Sequence, residues 1–407
     1  RLDIPDVKTG SYIALFDDNF YYTLRSGKRD KRTRIINNAI GTKDFCPTVR
    51  KTGEIKQLAE IDVYSTAYAE VQKLGSAVSS EAIGRSISYL YSKETKSSTE
   101  IEREKPDKQK MQRFLNALKN VGLFDLTKEK LVDLQNHIVE DSKKADGYRS
   151  CEIYVGSTIQ RKGFVDEDVH YVGAKAEHVD SMMHGLLCTH DNLMYDAQMP
   201  PLIHATIISF GEVYIHPFDD GNGRIHRYLI HDVMKQREPE HEFIIPISAS
   251  ILKNEQRYDK VLECVSKPLM SMLDWELDSD NDNQIVIKND IDYMYRYPDY
   301  TEHVKFVYEM MDEAISRDLI EELCLILVFD IVKKEINKIA DIPNAKLDTI
   351  VSIIINGGGT VSKAKSKFVS KFLDDALLGP IQEKSRLTLL LFKEKIGVDV
   401  YEVMNRM

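Results

Sequence analysis

A chain of 407 residues with 43% hydrophobic and 29% charged residues has the make-up of a globular protein with a large core, and its length suggests two or three domains. A formal net charge of −10 disfavours non-specific attachment of the whole molecule to nucleic acid or to an anionic membrane. Five scattered cysteines (Cys46, Cys151, Cys188, Cys264, Cys324) with no Cys-x-x-Cys pair argue against a disulfide framework or a thiolate zinc site, and for a reducing, cytoplasmic setting.

The opening "RLDIPDV" has no apolar signal run and no initiator Met, so leading sequence is expected before it. "RSGKRDKRTR" (25–34) reads as a solvated loop or hairpin rim, with a patch for an acidic partner as the alternative. Helical spacing begins at Val63, Ala67, Val71 and Leu74 and continues in 108–121 and 128–141. The period then changes: 148–174 is rich in Tyr, Val and Ile and punctuated by Gly, which predicts a hairpin. Helices are predicted again in "HVDSMMHGLLCTH" and "PLIHATIISFGEVYI". In "GRIHRYLIHDVMKQ", Ile225, Tyr228, Leu229 and Val233 share one helix face, and Arg224 and Arg227 lie off it as surface neighbours.

Beyond a second hairpin (273–287) the chain is predicted to be mostly helical. The spacing of Asp278, Asp280 and Asp282 imitates a calcium loop, but Asn283 and Asn289 stand where such a loop needs Gly and a bidentate Glu, so a polar hairpin tip is expected. The apolar run 323–329 is too short to span a bilayer, and no membrane partner is expected.

The chemistry concentrates in "YIHPFDDGNGRIHR" (214–227), a loop between two amphipathic helices. A helix start offers free N–H groups and a positive dipole end to an anion. Gly221 and Gly223 let the backbone close around phosphate oxygens, and Arg224 and Arg227 add forked donors. Asn222 can bond either the loop or a phosphate. Asp220 suits Mg²⁺ bridging phosphates, and a neutral His216 suits a general base. Phe218 is the expected apolar anchor of the loop. Together these residues describe phosphoryl or nucleotidyl transfer to a hydroxyl.

"HPFDDGNGRIHR" (216–227) resembles the Fic-family signature His-x-Phe-x-Asp/Glu-Gly-Asn-Gly-Arg-x-x-Arg at every defined position. The resemblance implies a mainly α protein: a Fic-type helical core with a small β-hairpin flap, an N-terminal helical region and a mostly helical C-terminal domain. The expected division is 1–107, 108–250 for the catalytic core, and 251–407, the last winged-helix-like. The family's usual reaction moves AMP from ATP to a protein Ser, Thr or Tyr hydroxyl. Carried over by position, His216 is the base and Asp220 the Mg²⁺ ligand. Gly221, Asn222, Gly223 and Arg224 hold ATP phosphates, and Arg227 reaches the terminal phosphate. The 148–156 segment and its hairpin are similar to the family's flap, so an unknown target protein is expected to dock near 152–174. The family's proline-rich stretch after the flap appears here as "HYVGAKAEHV". "NEQRYDKVL" (254–262) is similar to the segment whose Tyr, here Tyr258, lines the adenine; core packing is the plainer reading of that residue.

"SSTEIER" (97–103) resembles the family's inhibitory helix, Ser/Thr-x-x-x-Glu-Gly/Asn, with Ser98 and Glu102 in register and Arg103 replacing the final Gly/Asn. The resemblance implies that Glu102 pairs with Arg227 and denies ATP a productive pose. Lys363, Lys365, Lys367 and Lys371 raise DNA binding as a lesser alternative to a structural or protein-contact role for the C-terminal region. A homodimer is left open. The same site could remove AMP, transfer another phosphate-bearing group, or belong to a regulator with a silent core. Doc-like kinases depart from the signature at the end of the nest, where Gly223 is kept here, and the presence of both His216 and Asp220 weighs against a silent core.

Overall fold

The computed structural model describes residues 10–74, 80–103, 107–161, 164–241, 243–278 and 283–406, and it is mainly helical. In chain order the first elements are β1 (Ile13–Ala14), β2 (Lys28–Arg29), β3 (Ile35–Asn37), α1 (Gly53–Ala59), α2 (Val63–Lys73), α3 (Ser80–Ile101), α4 (Lys108–Leu118) and α5 (Lys128–Ile138). A hairpin of β4 (Tyr154–Arg161) and β5 (Phe164–Val172) leads into α6 (Ala176–Met194), α7 (Pro201–Ile215), α8 (Asn222–Arg237), α9 (Ile247–Lys253) and α10 (Glu255–Met272). A second hairpin, β6 (Trp275–Asp278) and β7 (Gln284–Ile287), precedes α11 (Asp292–Arg296), α12 (Thr301–Glu313), α13 (Ile320–Asn337), α14 (Asn344–Asn356), α15 (Lys363–Val369), α16 (Asp375–Ile396) and α17 (Val400–Arg406).

Contacts divide the chain into two compact units. The first is Arg1–Ile61, Glu94–Glu242 and Ile247–Met310; the second is Asp62–Lys93, Phe243–Pro246 and Met311–Met407. Each unit is assembled from pieces distant in the chain. Apolar faces choose partners by packing rather than by chain order, so pieces distant in sequence join one core. Among the described residues, the N-terminal region is helical only from Gly53 on. Before that, β3 sits between parallel β1 and antiparallel β2, so the basic run 25–34 is a hairpin with its lysines and arginines mostly on the surface.

The first unit is organised on α7, whose side chains from Leu202 to Gly211 are all buried. A helix buried on every side belongs in the centre of a domain. Its neighbours include α6 and α8, and Phe45, Phe210 and Ile225 fill the core around it. Local signals start the surrounding helices. Thr127 caps α5 by accepting from Lys130 N, and Asp107 caps α4 by accepting from Gln109 N. β4 and β5 pair antiparallel with a bulge at Val155/Gly156, and β6 pairs with β7 in the same sense.

In the second unit α13 packs against α2, α14, α16 and α17, with Ile350, Val351, Ile354 and Ile355 buried on α14. The described residues after Ile287 hold no strand. The apolar spacing of 347–355 is helical throughout, and the glycines at 357–359 make a turn between helices. Residues 279–282, the centre of the calcium-like spacing, lie outside the described residues. No helix among the described residues is long and apolar enough to cross a membrane.

Candidate active site

The α7 helix ends at His216, which takes a left-handed backbone (φ 57°, ψ 62°) and turns the chain sharply out of the core. Phe218 is fully buried and packs edge-on against Tyr148 at 5.6 Å, so the loop has an apolar anchor. Asn222 closes the loop from the other side: its Oδ1 accepts from Phe218 N at 3.1 Å and its Nδ2 donates to Phe218 O at 2.7 Å. Both ends of the Asn222 side chain are committed, which leaves its backbone N–H as the group able to face an anion. Gly221 reaches φ 95° immediately before α8, a conformation a side chain would disfavour. The first N–H groups of α8 therefore face the loop as an anion nest.

A carboxylate lies in that nest. A Cβ built on Gly223 would stand 2.2 Å from Glu102 Oε1, so only glycine lets an oxygen come so close to the start of α8. Arg227, 1% exposed, donates from Nε to Ser98 Oγ at 2.7 Å and from Nη2 to Ser98 O at 2.9 Å and Glu102 Oε1 at 2.5 Å. Burial alone would raise the Glu102 pKa, but Arg227, with smaller help from Arg224 and His216, holds it below the ordinary carboxylate value. Glu102 is thus an anion at neutral pH, held by the donors a phosphate would use.

His216 Nδ1 lies 2.9 Å from Val213 O. A carbonyl can only accept, so Nδ1 carries the proton and Nε2 keeps its lone pair. Burial pushes the His216 pKa down to about 4, with Arg149 adding to the depression and the Val213 bond opposing it. The imidazole is therefore neutral at pH 7 and able to accept a proton.

Asp220 remains one-third exposed, its Oδ1 3.3 Å from Arg224 Nη2. A single carboxylate at the edge of an anion nest fits Mg²⁺, which takes one or two carboxylates and completes its shell with phosphates and water. Arg224 is 3% exposed, and its Nη1 donates to Ile138 O at 3.2 Å. Tyr258 is 7% exposed, with its ring stacked between His226 (6.2 Å) and Phe306 (5.8 Å). These ring contacts and its burial place Tyr258 in aromatic packing.

The structure therefore brings Ser98, Glu102, His216, Asp220, Gly221, Asn222, Gly223, Arg224 and Arg227 to one place. Residues 125–234 match the Fic/DOC family. They form a Fic domain. Among solved structures, the chain is similar to a Fic domain containing signaling protein from Bacteroides thetaiotaomicron, at 17% identity and TM-score 0.41, covering 68% of this chain and 96% of that one. It is also similar to a Fic family protein from Desulfovibrio desulfuricans, at 14% identity and TM-score 0.41, covering 85% of this chain and 90% of that one. No curated protein matches the sequence.

Three residues around the Fic-domain site carried no sequence signal. Arg149 donates from Nε to His216 O at 2.7 Å. Glu94, fully buried on α3, accepts from Ser248 N at 2.9 Å and from Ser248 Oγ, and lies 3.0 Å from His231 Nε2. Glu212, one turn before His216, is fully buried with neither carboxylate oxygen hydrogen-bonded among the described residues, and burial raises its pKa far above the ordinary value. It is a neutral acid inside the core.

Proposed function

We propose that this chain is a protein adenylyltransferase that moves AMP from ATP to a Ser, Thr or Tyr hydroxyl of a target protein, and that it is self-inhibited by Glu102. The observation that carries this reading is the carboxylate of Glu102 lying against Gly223 and 2.5 Å from Arg227 Nη2. An anion held by a helix start and a buried guanidinium marks where a phosphate would rest. His216, neutral and with Nε2 free to accept, supports proton removal from an incoming hydroxyl.

In this mechanism the hydroxyl loses its proton to His216 Nε2 as its oxygen attacks the α-phosphorus, and pyrophosphate departs. Backbone N–H groups from Gly221 to Gly223, with Arg224 and Arg227, hold the phosphates in line. Asp220 would hold Mg²⁺, which when bound neutralises phosphate charge. The β4–β5 hairpin, 154–172, would present the target segment by strand addition. While Glu102 occupies the nest, Arg227 cannot reach a terminal phosphate.

The test is incubation of wild type, Glu102→Gly and His216→Ala with Mg²⁺ and α-labelled ATP, reading label and intact mass. The expected result is an AMP-sized addition strongest in Glu102→Gly, with His216→Ala lower by at least about 100-fold. Label added by none of the variants would overturn the transfer reading. Release of AMP from a pre-modified protein, dependent on Glu102, would assign the site to the reverse reaction.

A further inference from the structure

Arg149 lies between the β4–β5 hairpin and the end of α7, and its side chain is 1% exposed. Its guanidinium donates to four backbone carbonyls. Nε reaches His216 O at 2.7 Å, Nη1 reaches Cys151 O at 2.7 Å, and Nη2 reaches Ala174 O and, at 3.3 Å, Ile215 O. Its own backbone N–H donates to Pro217 O at 2.9 Å. Cys151 and Ala174 are the two feet of the hairpin, one before β4 and one after β5. Ile215, His216 and Pro217 are the catalytic turn. One side chain therefore occupies acceptors on both feet of the flap and on the turn that carries the base.

The surroundings suit such a joint. The nearest carboxylate, Glu152, stays 3.8 Å from Nη1 and accepts instead from Ala176 N. The buried charge is thus compensated mainly by carbonyl dipoles, including those at the negative end of α7. Gly173 is pressed against both partners: a Cβ there would stand 2.8 Å from Arg149 Nη2 and 3.2 Å from His216 Cβ. Ala174 N donates to Ile215 O at 3.3 Å, and Tyr295 Oη donates to Val172 O at 2.9 Å, so the second foot is pinned from two more directions. His216 meanwhile holds a left-handed backbone that a residue with a Cβ does not favour, so something must over-determine it.

We propose that Arg149 is a positioning residue that locks the feet of the flap and the backbone of His216 into one joint, so that the path of a docked target strand and the direction of the imidazole are set together. The consequence for a target hydroxyl rests on the transfer reading above; the joint itself does not. Around the imidazole the other groups are Val213 O, Glu102, Asp220 and the Tyr171 ring. Tyr171 adds a tie of its own, its hydroxyl donating to Tyr214 O just before the turn, whereas Arg149 bonds the turn itself and both hairpin feet.

The test uses the full chain as wild type, Arg149→Lys, Arg149→Gln and Gly173→Ala, each also in the Glu102→Gly background. Hydrogen exchange is followed at 150–156, 172–176 and 213–219, with α13, α14 and α16 as the internal reference. The expected result is that the hairpin feet and the catalytic turn exchange together at least about tenfold faster in the variants, while the reference helices do not change. In the Glu102→Gly background, kcat for transfer should fall about 100-fold. KM for ATP should stay within about threefold, because a mispositioned base costs rate rather than ground-state binding. Retained protection at either segment overturns the joint. So does a uniform acceleration across the first unit, which would mark ordinary destabilisation. If Glu102→Gly transfers no nucleotide, the transfer reading fails, and the exchange experiment still decides the joint.

Discussion

Arg103 holds a left-handed backbone, φ 54°, just past the end of α3. The related inhibitory motif places Gly or Asn there, the two residues that tolerate this geometry, and an arginine costs about 1 kcal/mol or more. Arg103→Gly should therefore steady the end of the helix that carries Glu102. Basal labelling by α-labelled ATP should fall about fivefold, the equivalent of about 1 kcal/mol. Unchanged or increased labelling would show that the strain is borne elsewhere. Two titrations bear on the same site. Glu102 has a lowered pKa, so its contribution to the proposed inhibition is complete above the ordinary carboxylate pKa and is lost as pH falls through the lowered value. Inhibition should then be flat across neutral pH. For His216, lowered to about 4, the acid limb of kcat/KM in Glu102→Gly should fall well below pH 6.5. A break near 6.5 would mean that the imidazole is solvated during turnover.

At the scale of elements, α3 holds the site with one face. Glu94 and Ser98 on α3 and Glu102 just past its last residue recur every four residues and so lie along one side. Glu94 takes Ser248 N and Oγ and approaches His231, while Ser98 and Glu102 take Arg227. His231 and Arg227 are themselves four apart on α8, so the two helices match polar groups at equal spacing. Glu94→Ala would leave the buried Ser248 N–H and hydroxyl without their acceptor. It should cost about 3 kcal/mol in denaturant stability and raise basal transfer, though less than Glu102→Gly, because Arg227 keeps Glu102. Transfer above that of Glu102→Gly would make Glu94 the dominant restraint instead.

Across the first unit, buried histidines set the response to acid. His190 and His204 have lowered pKa values, His216 is lowered to about 4, and His226 and His303 to about 3, burial being the first cause in each. Below pH 6.5 the unfolded chain binds protons that these rings refuse when folded, so stability falls as pH drops toward 4. Two acids act the other way. Burial raises Asp232 to about 6 and Glu212 far above its ordinary value, so the folded chain binds protons there first. Five groups against two predict a lower Tm at pH 5 than at pH 7, measurable by calorimetry. Glu212→Gln keeps the neutral form and should raise Tm at pH 8 relative to wild type. A lower Tm for Glu212→Gln would mean that Glu212 is ionised in the fold.

The sequence by itself determined the turn chemistry and the helix faces. The signature is contiguous: Gly221 supplies the positive φ, Gly223 the space and Phe218 the anchor, and the apolar face of 225–233 is buried. Such features depend on neighbours a few residues away. The hairpin at 148–174 was legible for the same reason. Arg224 and Arg227, placed by spacing alone on the helix surface, are buried as well, because partners from other elements enclose α8 on all sides. Tertiary structure decided which polar groups meet. The Arg227–Glu102 contact joins residues 125 apart, Glu94 and Ser248 are 154 apart, and Arg149 reaches His216 across 67. Motif resemblance anticipated the first, while nothing local marked the other two. A buried charge is tolerated only where packing delivers its partners, and those partners are named by the fold, not by adjacent residues.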